Sequence, residues 1–246
     1  MGIQGKVVII TGGSSGLGKA IAIEMVNRGA NVVLNGRNEQ ALAEAVKEID
    51  PTGKQVRFVA GDIADPKIAQ RLIDEGLAHY GRIDTLINNA GIFMSKPFTE
   101  YTEENFTTYL STNVVGFFHV TQRAVDEMLK QGKGHILNIT TSLVDQPSVN
   151  VPSVLASLTK GGLKAATKSL AIEYASRGIR VNAVSPGVIK TPMHPVETHD
   201  ALAKLHPMGR MGEAHEIVEA VLYLDSANFV TGEILHVDGG GQNAGH

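Results

Sequence analysis

Short apolar runs rich in β-branched residues recur along the chain, and amphipathic stretches of helical length separate them. Strand-like segments fall at 6–11, 31–35, 55–60, 84–88, 134–140, 179–184 and 233–237. Helical patterns fall near 16–29, 38–49, 65–80, 102–131, 156–177 and 213–224. Runs such as Arg82-Ile83-Asp84-Thr85-Leu86-Ile87 and His135-Ile136-Leu137-Asn138-Ile139 are short and apolar, as strands covered on both faces are. Strand alternating with helix predicts parallel βαβ units with right-handed crossovers. The expected fold is therefore α/β, a doubly wound, Rossmann-type parallel sheet of seven strands with helices on both faces. No internal repeat, low-complexity tract or linker interrupts the pattern, so residues 1–246 read as one domain. The long irregular stretch is 186–212, rich in Pro, His and Met. A loop of that length in a compact domain is usually functional, which points to a substrate lid.

Composition narrows the class. With 246 residues, 43% hydrophobic and 19% charged, the chain suits one α/β domain with a sizeable core. Its net charge is −3 and no basic stripe stands out, so nucleic acid is not an expected partner. It has no cysteine, which excludes disulfides and thiolate chemistry and suits a cytoplasmic location. The chain enters its first strand almost at once, so no signal peptide is expected. No apolar stretch approaches the ~18–20 residues of a membrane span, so no membrane partner is expected.

Chemistry enters with the first turn. Lys6-Val7-Val8-Ile9-Ile10 breaks into Thr11-Gly12-Gly13-Ser14-Ser15-Gly16-Leu17-Gly18, and Ile21, Met25 and Val26 then follow at helical spacing. Strand, glycine turn and helix is the layout that holds a pyrophosphate on a helix N-terminus. The spacing of Gly12, Gly16 and Gly18 is wider at its start than G-x-G-x-x-G, so the loop alone is weak evidence.

Further markers follow in order: Asn88-Asn89-Ala90-Gly91, Asn113, Ser142, Lys160-Gly161-Gly162-Leu163, Val184-Ser185-Pro186-Gly187, Thr191 and Val237-Asp238-Gly239-Gly240. Together they resemble the short-chain dehydrogenase/reductase family over nearly the whole chain. The resemblance implies a nicotinamide dinucleotide and a small-molecule alcohol/carbonyl substrate. It implies cofactor contacts from Gly12, Ser14, Ser15, Gly16, Leu17, Gly18, Arg37, Asp62, Ile63, Asn89, Ala90, Gly91, Lys160, Pro186, Gly187 and Thr191. Within that set Asp62 would meet the adenine, Thr191 the carboxamide and Lys160 the nicotinamide ribose. Asp62 reads equally well as an N-cap for the next helix. The resemblance also gives Asn113 the task of opening its helix locally and holding a water that connects to Lys160. Ser142 would bond the substrate carbonyl, although Thr140 and Thr141 are equally good cappers there. Finally, it implies a homotetramer with two kinds of two-fold contact, built on helices 102–131 and 156–177 and the last strand.

Cofactor preference turns on Val33-Leu34-Asn35-Gly36-Arg37-Asn38. An NAD enzyme usually carries Asp or Glu here for the ribose hydroxyls. Gly36 stands at that place, and Arg37 can pair with a 2′-phosphate. This favours NADP, with NAD possible. Ser15 counts the other way, because NADP-preferring relatives often place a second basic residue there.

One expected residue is missing. The family's catalytic pair is Tyr-x-x-x-Lys on one helix face. Lys160 is present, but Ala156 stands four residues earlier, and no tyrosine lies anywhere in 132–173. The interval from Ser142 is also about one residue longer than the family's. Three readings stay open: a substitute acid (Ser153, Ser157, Lys160, a water, or His194, His199 or His206), a cofactor-binding pseudoenzyme or supporting subunit, or an engineered Ala156. Non-redox chemistry such as dehydration is a weaker alternative. The favoured reading is an NADP(H)-dependent oxidoreductase with Asn113, Ser142 and Lys160 as catalytic residues and an atypical proton donor. The place of the missing phenol is expected to be a void beside polar groups that holds water or substrate.

Overall fold

The computed structural model describes residues 2–243. Their strands are β1 (Val7–Thr11), β2 (Asn31–Gly36), β3 (Val56–Ala60), β4 (Thr85–Asn88), β5 (Gly134–Ile139), β6 (Ile179–Pro186) and β7 (Ile234–Val237). They form one sheet in the order β3-β2-β1-β4-β5-β6-β7, with every pairing parallel. The expected seven-stranded Rossmann-type fold is borne out.

The reason lies in alternation across the pleat. Val8 and Ile10 of β1 enter one core with Ile21, Met25, Leu42, Val221 and Leu224; Val7 and Ile9 enter a second core with Leu72, Ile73, Val120, Ala124 and Met128. Side chains on both faces are thus apolar, which produces the unbroken runs seen in the sequence. The first core is covered by α1 (Gly16–Asn27), α2 (Glu39–Ile49) and α8 (Ala214–Ser226). The second is covered by α3 (Pro66–Tyr80), α5 (Gly116–Gln131) and α6 (Val154–Tyr174). Each fully buried Leu or Ile contributes roughly 1.5–3 kcal/mol.

Two segments carry detail that the hydrophobic periodicity alone does not show. The pattern at 102–131 is one amphipathic stretch in sequence, yet it folds as α4 (Glu103–Tyr109), a π turn (Leu110–Val115) and α5. The segment after β6 is not wholly irregular either, since it carries the short helix α7 (His199–Ala203). That segment is tied at its base by a bridge between Ile189 and Gly212 and by the Lys190–Glu213 ion pair.

The order of strands reverses between β1 and β4, and the crevice at their carboxyl ends is where open α/β sheets bind ligands. Here that crevice is a cavity of about 1040 Å³.

Candidate active site

The cavity begins at the loop after β1. Gly12 has φ +69°, and a Cβ there would sit 3.0 Å from Ala90 Cα; one on Gly18 would sit 2.2 Å from Gly12 O. Only glycine permits this packing. The loop is clamped from β4: Asn89 Nδ2 donates to Thr11 O (2.9 Å) and Gly12 O (3.0 Å), and Thr11 Oγ1 accepts from the N–H groups of Asn89 and Ala90. Asn88 points the other way, donating to Asn138 and Thr121 in the buried layer behind the site. Ser15 precedes α1 without a side-chain cap, and no acid stands in the first turn. The leading N–H groups and the positive helix end are left for an anion, as a pyrophosphate requires. Ser14, Ser15, Gly16 and Leu17 line the cavity here.

Gly36 and Arg37 lie on the wall at the end of β2. Arg37 is exposed and makes no hydrogen bond or ion pair among the described residues. Asp62 and Ile63 share the wall. Asp62 does not cap α3, which corrects the alternative reading of that residue. Its carboxylate accepts from Ala64 N–H (2.9 Å), and Asp65 caps the helix through Lys67 N–H (2.8 Å). Pro66 at the first helical position fixes the helix start one residue after Asp65.

At the other end, Lys160 is buried on α6, and its Nζ donates to Ile139 O at 2.8 Å. Burial pulls its pKa down to about 8. A Cβ on Gly91 would lie 2.9 Å from that Nζ and 3.2 Å from Asn113 Oδ1, so the chain must be bare there. Asn113 sits inside the π turn. Its Oδ1 accepts from Ile92 N–H (3.0 Å), and its Nδ2 donates to Thr159 Oγ1 (3.1 Å). The helix is indeed opened at Asn113. Sequence reasoning missed Thr159, whose only signal was its place beside Lys160.

Ser142 lies on the wall in a 3-10 turn, Ser142–Val144, whose cap is Thr141 accepting from Leu143 N–H (3.3 Å). Gly91, beside Lys160 Nζ, and Pro186, Gly187 and Thr191 also line the cavity. Ala156 lines the cavity too, yet it is only 2% exposed. It packs with Tyr109 and Leu155, against Ile92, Phe93, Met94 and Tyr101. Ala156 borders the same cavity as Ser142 and Lys160, and it also packs against apolar side chains.

The histidines of 186–212 are not solvated loop residues. His206 Nε2 accepts from Val188 N–H (2.9 Å), His194 Nδ1 contacts Ile189 O (2.9 Å), and His199 Nε2 contacts His194 O (3.1 Å). Burial lowers the pKa of both His194 and His206. Ser157 donates to Leu143 O (3.2 Å) and, like Ser153, stands off the cavity wall.

A parallel Rossmann-type sheet with this crevice defines a dinucleotide-site architecture. The family model described as enoyl-(acyl carrier protein) reductase matches residues 12–242. The chain belongs to that family, a branch of the short-chain dehydrogenase/reductases, which are oxidoreductases. An uncharacterized oxidoreductase of Thermotoga maritima is 37% identical, with 98% of each chain covered. The 3-oxoacyl-(acyl-carrier-protein) reductase FabG of Aquifex aeolicus is also 37% identical, covering 97% of this chain and 98% of the relative. Among solved structures, ElxO with NADP bound matches at TM-score 0.90 and 30% identity, covering 99% of this chain and all of that one. A Tyr→Phe variant of ElxO holds NADPH. A 3-ketoacyl-(acyl-carrier-protein) reductase from Brucella melitensis, complexed with NADH, matches at TM-score 0.90 and 31% identity over 98% of this chain and 99% of that one. No helix among the described residues is long and apolar enough to cross a membrane.

Proposed function

We propose that this chain is an NADP(H)-dependent oxidoreductase acting on an alcohol/carbonyl pair of a small substrate, with an atypical proton donor because Ala156 stands in the tyrosine's place. The observation that carries the reading is the shared cavity of the capless α1 N-terminus, Arg37, Ser142 and Lys160. The bound cofactor supplies or accepts hydride. Gly12, Ser14, Ser15, Gly16, Leu17 and Gly18 receive its pyrophosphate, and Asn89 and Ala90 hold that loop. Asp62 and Ile63 take the adenine side, Arg37 a 2′-phosphate, and Pro186, Gly187 and Thr191 the nicotinamide. Lys160 holds the ribose while Asn113 braces the Gly91–Ile92 segment beside it. Ser142 bonds the substrate oxygen; it has no side-chain hydrogen bond among the described residues. NADH is the weaker alternative cofactor. The segment 186–212 serves as a lid on a single domain, and the assembly is a homotetramer.

The test is direct. NADPH should enhance or shift cofactor fluorescence on binding, and a panel of small carbonyls should then oxidise it. NADPH that binds without being consumed by any carbonyl overturns the reading.

A further inference from the structure

We propose that Lys160 itself gives the proton to the substrate oxygen, the task that the missing tyrosine performs in the resembling family. That role presupposes the hydride transfer proposed above.

Most other candidate acids are engaged or off the cavity wall; His194 and Lys204 line the cavity from the 186–212 segment rather than from the helix that carries Ala156. The Tyr101 and Tyr109 hydroxyls both bond Met94 O (2.7 and 3.1 Å), and Tyr109 also accepts from Met94 N–H. Burial pushes Tyr109 up to about 12, so it keeps its proton. Ser157 donates to Leu143 O, and Ser153 and Ser157 lie off the cavity wall. His206 spends Nε2 as an acceptor for Val188 N–H, and its Nδ1 is buried. His194 lines the cavity with Nδ1 on Ile189 O, and His199 is off the wall. Thr141 caps its turn. The Ser142 hydroxyl is free to bond a carbonyl, but an aliphatic alcohol is too weak an acid to release a proton unaided.

Lys160 stands one turn beyond Ala156 on the same helix and lines the same cavity. An ammonium has three N–H donors, and Ile139 O takes one. No carboxylate pairs with it among the described residues. The groups against it are uncharged: Ile139 O and, across Gly91, the Asn113 amide. The next cation on the helix, Lys164, is itself paired with Asp145 and touches His236. Burial alone brings Lys160 to about 8, a useful range for a donor near neutral pH.

In the reductive direction the atoms balance. The bound cofactor would supply hydride for the new C–H bond, and the carbonyl π pair would move onto oxygen. An O–H bond forms as one Nζ–H bond breaks. Oxidised cofactor and a neutral Lys160 amine remain, and water at the cavity mouth returns the proton.

Two measurements test the assignment. Reductively ¹³C-dimethylated protein should show an NMR signal, lost in Lys160→Arg, that titrates near 8 rather than above 10. Under saturating NADPH and carbonyl, reduction should fall tenfold per pH unit above that midpoint. Lys160→Ala should weaken NADPH binding through the lost ribose contact, lose about 10²-fold or more in turnover at saturating NADPH, and regain part of it with added methylamine. An ordinary lysine midpoint, a rate that stays flat to high pH, or full turnover by Lys160→Ala overturns the role of Lys160 and leaves the reductase reading standing. NADPH binding without turnover by the unmodified protein overturns both.

Discussion

Arg37 and Ala156 each bear a consequence out of proportion to one side chain. Arg37 has no partner among the described residues and lines the cavity beside Gly36, where a carboxylate would repel a phosphate. Arg37→Ala should weaken NADPH about 10-fold or more, the scale of a charge-assisted pair at ~1.5–3 kcal/mol, and leave NADH within about twofold. Fluorescence titration with both cofactors measures the split, and equal losses for the two would remove Arg37 from the phosphate site. Ala156→Tyr asks a different question. A phenol placed at this position should raise carbonyl reduction by about 10²-fold. It must also enter the packing of Tyr109, Leu155, Ile92 and Phe93, at about 1–3 kcal/mol of stability. Turnover and Tm measured together should therefore move in opposite directions. A variant that loses stability without gaining rate would show that a phenol at position 156 does not reach the substrate.

The break between α4 and α5 shows which elements a sequence displays and which it hides. All seven strands are legible, because burial on both faces writes itself as short β-branched runs. The glycine loop and Asn88-Asn89-Ala90-Gly91 are legible because close backbone contact leaves few residue choices. The π turn is legible only through the family resemblance, which gives Asn113 the task of opening its helix, and not in the periodicity. Its residues Leu110–Val115 fit a continuous amphipathic helix, and what opens it is tertiary: Asn113 reaching Ile92 and Thr159. The choice of Asp65 over Asp62 as the cap of α3 depends likewise on where the chain turns. His206 reads in sequence as one more loop histidine, while its fold partner, Val188 N–H, is eighteen residues away. The π turn gives its own test. Asn113→Ala leaves Ile92 N–H and Thr159 without their partner, at about 1–3 kcal/mol. It should lower Tm and cut turnover, since Gly91 beside Ile92 is packed on Lys160. Thr159→Val removes only one of these bonds, so its loss in both measurements should be smaller. Equal effects from the two variants would mean that the Ile92 bond contributes no more than the Thr159 Oγ1–Leu155 O bond that Thr159→Val also removes.

At the scale of the molecule, two ends of the sheet do different work. Exposed Val115 and Phe118 follow one another from the π turn into α5, and Leu158 and Ile172 stand exposed on α6; Tyr223 and Phe229 are exposed near β7. Apolar faces of that kind support the proposed tetramer, and light scattering at micromolar protein should give four subunits. Phe118→Glu should then yield a smaller species; a monomer before mutation would dispose of the assembly. The amino ends of the strands, far from the cavity, hold a buried ionic cluster instead. Asp225 takes Lys6 Nζ (2.7 Å), Thr85 Oγ1 (2.9 Å) and His135 Nδ1 (3.4 Å). Burial pulls His135 down to about 4, against the opposing hydrogen bond to Asp225. For Asp225, burial acts upward, and the bonds from His135 and Lys6 outweigh it to leave the pKa lowered. An unfolded His135 takes up a proton as pH falls through about 6.5, while the folded one stays neutral until about 4. The unfolded chain therefore binds more protons across that window, and stability must fall with pH, by an order of magnitude of about 3 kcal/mol over the whole of it. The contribution of Asp225 stays intact there and is lost only at lower pH, as its carboxylate protonates through its depressed pKa. Urea midpoints at pH 7.5 and pH 5 should differ in that sense, with NADPH binding at pH 7.5 unaffected by the cluster. His135→Gln should flatten the dependence, since it removes the titrating ring and keeps a polar side chain against Asp225 and Asn182. If the slope survives the substitution unchanged, the lowered His194 and His206 carry it, and the pH sensitivity belongs to the segment over the cavity rather than to the base of the sheet.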